Sequence, residues 1–248
     1  NSWSPGNNWG DSQAGQGSFG TNAGLEYKRS SNPSESPIRF LGFTGLNDIL
    51  INNDTEAGLP GSGTDLRSEA AASVYNPSSI ISRMGSGATT VRTGDSESNG
   101  GTGSVTLAVD LDYDGLTSNQ ALSLRASGDV IINNQIFDSN PGTVVNLNLT
   151  LGGGSALISG STSAGAVDVN APINLTSGTF IATGKSFDNT NGTITAGMTS
   201  IQVTGDLTVG ADITASSVSM SSVTTNLNAP VNSAGAVNMT SSGATTIA

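Results

Sequence analysis

Cysteine and histidine are both absent from the 248 residues. Without them there is no disulfide, no thiolate or imidazole metal site, and no thiol- or imidazole-centred acid–base chemistry. Charge is sparse, at 11% of residues, and aromatic side chains make up only 4%. No apolar run approaches the 18 or so residues that a membrane-crossing helix needs. The charge that exists is one-sided. Against 19 acids stand 8 bases, a net −11, and beyond residue 116 the only bases are Arg125 and Lys185. A phosphate-tracking surface needs clustered Lys and Arg, so nucleic acid and anionic membrane are poor partners. An acidic surface rich in Asn and Thr suits solubility, cations or neutral glycans.

Ser, Thr, Asn and Gly fill the space that Lys and Glu occupy in most globular proteins. The apolar residues are mostly Val, Ile and Leu in alternating positions, which argues for order and for strands. Residues 126–136, 163–173, 203–213 and 222–231 are variants of one phrase, seen most fully over 165–173. Gly128, Gly165 and Gly205 stand 37 and 40 residues apart, and aligning Ala229 on Ala171 puts the last copy 58 residues after the second, 18 beyond the third. The offsets of 37, 40 and 18 read as one or two multiples of about 18–20 residues, a unit that cannot bury its apolar face alone and must stack on its neighbours. The expected fold is all-β, a right-handed parallel β-helix with an irregular N-terminal region.

Two regions are expected. Residues 1–102 form a Gly/Ser/Asn-rich capping or insertion region with one early rung over 38–54, where 48–53 closely matches 129–134. Within it, Asp65–Ser73 reads as one or two helical turns with Asp65 as N-cap, Pro77 as an interruption, and 93–103 as a loop. Residues 103–248 carry the regular repeats. Val105, Leu107, Val109, Leu111 and Tyr113 there alternate as one half-buried strand. Recurrent Asn133, Asn170 and Asn228 suit a ladder between rungs. Trp3, Trp9, Phe19 and Tyr27 read as a cap on an open solenoid end, or as a sugar-stacking platform. The chain begins without Met, so a processed product or an excised piece is expected. At the other end, 237–248 stops in mid-pattern, which predicts either further rungs or another subunit stacked there.

The runs 170–179 and 228–235, Asn-Ala-Pro followed by Ile or Val and then Asn, resemble the repeats of filamentous haemagglutinin-type exoproteins. These are large bacterial adhesins exported by two-partner secretion, whose repeats stack as right-handed parallel β-helices. The resemblance covers roughly 103–248. The family's secretion motifs Asn-Pro-Asn-Gly and Asn-Pro-Asn-Leu do not occur in this sequence. The resemblance implies an extracellular location at a bacterial cell surface and a role in cell adhesion. It implies as partners neighbouring copies or further repeats of a longer chain, and host or matrix glycans.

The sharpest local motif is Asp110, Asp112 and Asp114 followed by Gly115. Carboxylates at positions 1, 3 and 5 with Gly at 6 open a calcium loop, to which the Leu116 carbonyl and Ser118 add oxygens. The twelfth position is Ala121, without the bidentate carboxylate. The competing reading makes the three aspartates the solvent face of a strand, alternate carboxylates splayed about 6.5–7 Å apart. Acid–base options are thin, and Asp129 and Asp206 read as turn residues, so no enzyme activity is expected. The expected function is a non-catalytic structural or adhesive segment of a surface adhesin or fibre. The alternative is a glycan-binding or glycan-cleaving β-helix such as a phage tailspike.

Overall fold

A computed structural model of the chain describes residues 26–27, 38–39, 48–57, 63–67, 72–93, 103–140, 145–153 and 165–248. Among them the protein is mostly strand with a single helix. Strands β1 (Glu26–Tyr27) and β2 (Ile38–Arg39) pair antiparallel by themselves. Next come β3 (Asp48–Ile51), β4 (Asp65–Arg67), β5 (Ala72–Tyr75), helix α1 (Pro77–Met84) and β6 (Thr89–Arg92).

From there the chain repeats a three-strand pass. The first comprises β7 (Val105–Leu107), β8 (Leu111–Asp112) and β9 (Gln120–Arg125). The second comprises β10 (Val130–Ile132), β11 (Ile136–Phe137) and β12 (Leu147–Gly152). The third comprises β13 (Ala166–Val169), β14 (Ile173–Asn174) and β15 (Thr179–Gly184). In the next two passes the second and third strands fuse: β16 (Ser186–Asp188) leads into β17 (Ile194–Val203), and β18 (Asp206–Val209) into β19 (Ile213–Ser222). Last come β20 (Thr224–Leu227), β21 (Val231–Ser233), β22 (Val237–Ser241) and β23 (Thr245–Ile247).

First strands line up in a nine-stranded sheet, ordered β23-β20-β18-β16-β13-β10-β7-β3-β5. Second and third strands form a twelve-stranded sheet in which β17 and β19 join two stacks into one curled surface. Pairings within both sheets are parallel. Parallel pairing needs a crossover between partners, and here each crossover is the rest of the pass.

Register converts the alternation of the sequence into columns. Ile49, Val105, Val130, Val167, Phe187 and Leu207 stack inward on the nine-stranded sheet. Leu111, Ile136, Ile173, Ile194 and Ile213 stack on the short second strands. Leu122, Leu149 and Phe180 begin a third column. Phe180 meets Phe187 edge-on across the interior, centroids 6.3 Å apart. Each such aliphatic or aromatic side chain contributes about 1.5–3 kcal/mol relative to exposure. At the corner between second and third strands the passes approach too closely for a side chain. A Cβ on Gly178 would collide with the Leu147 carbonyl, and one on Gly197 with the Ser177 carbonyl.

Several expectations need correction. Asp65–Arg67 is a strand, in register with Thr90–Arg92, and the helix lies later, at Pro77–Met84. Asn76 is its N-cap, accepting from Ser78 N at 3.0 Å, and Pro77 takes the first helical position, where a missing N–H costs nothing. The single strand expected over 105–113 is two, because the chain turns a corner at 108–110 between the two sheets. The spacing of 37 is one pass: Val130 pairs directly with Val167. The spacing of 40 does span two passes, through Phe187 to Leu207. Trp3, Trp9 and Phe19, and most of the loop at 93–103, lie outside the described residues, as does the side chain of Tyr27. No helix is long and apolar enough to cross a membrane among the described residues.

Candidate functional site

Where a pass turns a corner, the ladder is interrupted and main-chain N–H groups need other acceptors. Side-chain oxygens from the preceding pass supply them. Asp48 Oδ1 accepts from Ser104 N at 2.9 Å, Asp129 Oδ1 from Ala166 N at 2.7 Å, and Asn119 Oδ1 from Asn146 N at 3.0 Å. Asn146 and Asn148 repeat this for Ser177 N and Thr179 N, at 3.2 and 3.0 Å.

The Asp110–Asp114 corner belongs to the same system. Asp110 is exposed, and its Oδ1 accepts from Gln135 N at 3.1 Å. Asp112 is half-buried, and its Oδ1 accepts from Ser139 N at 3.1 Å and from Asp114 N at 3.2 Å. Asp114 is exposed at the turn. Among the described residues no three acidic side chains stand close enough together to share a metal ion, Asp110, Asp112 and Asp114 included. Asp110 and Asp112 make these caps through one carboxylate oxygen each, Oδ1.

Between those aspartates, Tyr113 points inward and is buried. Its hydroxyl donates to the Asn174 carbonyl at 2.8 Å. Burial pushes its phenol above the ordinary value of 10.0, and the charges of Asp138 and Asp112 push the same way against a hydrogen bond to Thr176. Thr176 is the one non-glycine residue with positive φ, 58°, among the described residues, held by its N–H to Asn174 Oδ1 at 3.1 Å. A β-branched residue seldom adopts that conformation.

Outward faces carry their own columns. Asp168 stands in register with Asp188 on the nine-stranded sheet. Its carboxyl is raised above 3.8, first by burial and then by the negative charges of Asp129 and Asp188. Asn170 Nδ2 donates to Asn133 Oδ1 at 3.0 Å, and Asn191 Nδ2 to Asn170 Oδ1 at 3.5 Å. The amide ladder therefore exists, with Asn191 as its third member where Asn228 was expected. On the third strands, Ser123, Thr150, Ile181, Ser200 and Ser219 form one outward file. Neighbours in such a file lie about 4.8 Å apart, and alternate residues along a strand about 6.6–6.8 Å.

Three features escaped the sequence reading. Arg92 forms a bidentate pair with Asp65, Nε to Oδ1 at 2.9 Å and Nη2 to Oδ2 at 3.1 Å, across 27 residues of chain. Arg67, Arg92 and Arg125 occupy one register position on adjacent strands. Asn189 is fully buried and satisfied, donating to the Gly192 and Ala211 carbonyls at 3.1 and 2.9 Å and accepting from Gly210 N at 3.2 Å. Only the Asn-rich stretch 189–191 hinted at the last, and it reads equally as a turn. No family model, curated protein or solved structure matches the chain.

Proposed function

We propose that the chain is a right-handed parallel β-helix serving as a non-catalytic structural or adhesive segment of a bacterial surface adhesin or fibre, working outside the cell. What supports this reading is the unbroken register of inward columns, seen from Ile49 to Leu207 on one sheet. A stack of this kind makes length by repetition and needs no single centre. Its outer files of Ser, Thr and Asn at fixed spacing offer hydrogen bonds to neutral sugar hydroxyls, and the net charge of −11 leaves phosphate polymers as poor partners.

The test is a glycan panel read twice, for retention of the protein and for release of products from each glycan. The adhesive reading predicts retention with every glycan recovered intact. Turnover of any glycan would replace it with the tailspike-like reading. No retention on glycans or on host cells would leave only the scaffold role.

A further inference from the structure

Bases are scarce in this chain, 8 against 19 acids, yet three of the 8 share one file. Arg67 on β4, Arg92 on β6 and Arg125 on β9 stand in register on adjacent strands. Each follows a buried inward residue, Leu66, Val91 or Leu124, so alternation places these three positions on the outer face of the twelve-stranded sheet. Adjacent strands lie about 4.8 Å apart, and like charges held that close destabilise a sheet. Asp65 answers one of them, taking Arg92 Nε and Nη2 on its two oxygens at 2.9 and 3.1 Å.

Arg125 is exposed, and among the described residues no carboxylate pairs with it. Its guanidinium is an open fork of the kind that Arg92 closes on Asp65: planar, permanently charged and matched to two carboxylate oxygens. Hydroxyls stand beside it. Ser123 is two residues back on the same strand, about 6.6–6.8 Å away, and Thr150 is in register with Ser123 on β12. Both are half-buried on the outer face.

We infer that this part of the sheet binds an acidic polysaccharide, with Arg125 holding a sugar carboxylate and Ser123 and Thr150 bonding the sugar hydroxyls. Nucleic acid fits less well. A duplex carries a charge about every 1.7 Å, and a body of net charge −11 repels so dense a polyanion. A uronate polymer instead brings one carboxylate per sugar with hydroxyls between, which matches one free guanidinium flanked by hydroxyls. The inference rests on the glycan-binding reading proposed above and names the class of glycan for one site.

The test sets the full chain on immobilised polygalacturonate and on the same polymer with its carboxyls reduced to alcohols. The acidic polymer should hold the protein more tightly than the reduced one. Arg125→Gln should weaken binding to the acidic polymer about tenfold, the effect of one charge-assisted bidentate contact, with an unchanged circular dichroism spectrum. Lys185→Gln removes the same charge from the other base beyond residue 116, also exposed, and should change nothing. Equal binding to the two polymers, equal losses from Arg125→Gln and Lys185→Gln, or single-stranded DNA held as tightly as polygalacturonate overturns the inference. Neutral glycans held while polygalacturonate is not would overturn this site alone. Polygalacturonate held while neutral glycans are not would support the site and overturn the neutral-sugar reading alone.

Discussion

The hydroxyl of Tyr113 donates to the main-chain oxygen of Asn174, 2.8 Å away, although β11 lies between β8, which Tyr113 follows, and β14, which carries Asn174. One phenol thus pins three successive passes at a corner. Tyr113→Phe removes the donor and leaves that carbonyl without it, a loss of about 1–2 kcal/mol in denaturant unfolding. The pH dependence has a defined sign. Because the folded phenol sits above 10.0, its contribution is complete below pH 10 and fades as pH rises through the folded value. The variant should lose less stability than the parent above pH 10.

Asp168 works against the fold at neutral pH. Its carboxyl is raised by burial and by Asp129 and Asp188, so the protonated form is favoured in the folded state. Stability from this group is complete below pH 3.8 and is lost as pH rises through the folded value. Asp168→Asn should therefore raise unfolding stability at pH 7, by about 0.5 kcal/mol for like charges on adjacent strands, and change little at pH 3. A gain of equal size at both pH values would point to packing instead of charge.

Thr199 occupies a position held by Phe180 and Val218 on neighbouring strands, fully buried, and its hydroxyl has no hydrogen-bond partner. Thr199→Val keeps the shape and removes the orphaned oxygen, for a gain of about 1 kcal/mol. A loss on substitution, measured by the same unfolding titration, would show that the hydroxyl is satisfied in solution. Ser222 and Thr225 make the useful contrast. They are also buried, but their hydroxyls pair at 2.6 Å, so mutating one alone should cost stability.

Alternation carried most of what was legible in the sequence. Residues 130–132 and 201–203 read as strands from their alternation, and burial follows the same period of two there. Ala70–Ala72 suggests helical propensity ahead of the helix itself, while Asn76 before Pro77, which reads as a break, is its cap signal. In position, Asp65–Arg67 answers to tertiary pairing with Thr90–Arg92, which no local window contains. Spacing misled for a related reason. Directly paired strands stand at unequal chain separations, 37 residues from Val130 to Val167 but 20 from Val167 to Phe187, so residue counts overstate rungs. The carboxylates at Asp110 and Asp112 were visible as a motif, but their acceptor role depends on which N–H groups the next pass brings over them.

Calcium separates the two roles open to that corner. Capping predicts that millimolar calcium and a chelator give the same melting temperature. It also predicts that Asp112→Asn, whose amide oxygen still accepts, is tolerated, whereas Asp112→Ala costs about 1 kcal/mol. A calcium-dependent rise that Asp112→Asn abolishes would assign a cation to Asp110, Asp112 and Asp114 instead.

The most direct measurement is a distance between passes. Ser123 and Ser219 lie four strands apart in one outward file, and Asn238 stands one strand further. Spin labels at cysteines replacing Ser123 and Ser219 should sit about 19 Å apart, and those at 123 and 238 about 24 Å, one strand spacing more. Labelled chains diluted with unlabelled protein keep the reading within one molecule. Equal distances for the two pairs, or a shorter one for the second, would mean that successive passes do not stack in parallel, and the account would fail.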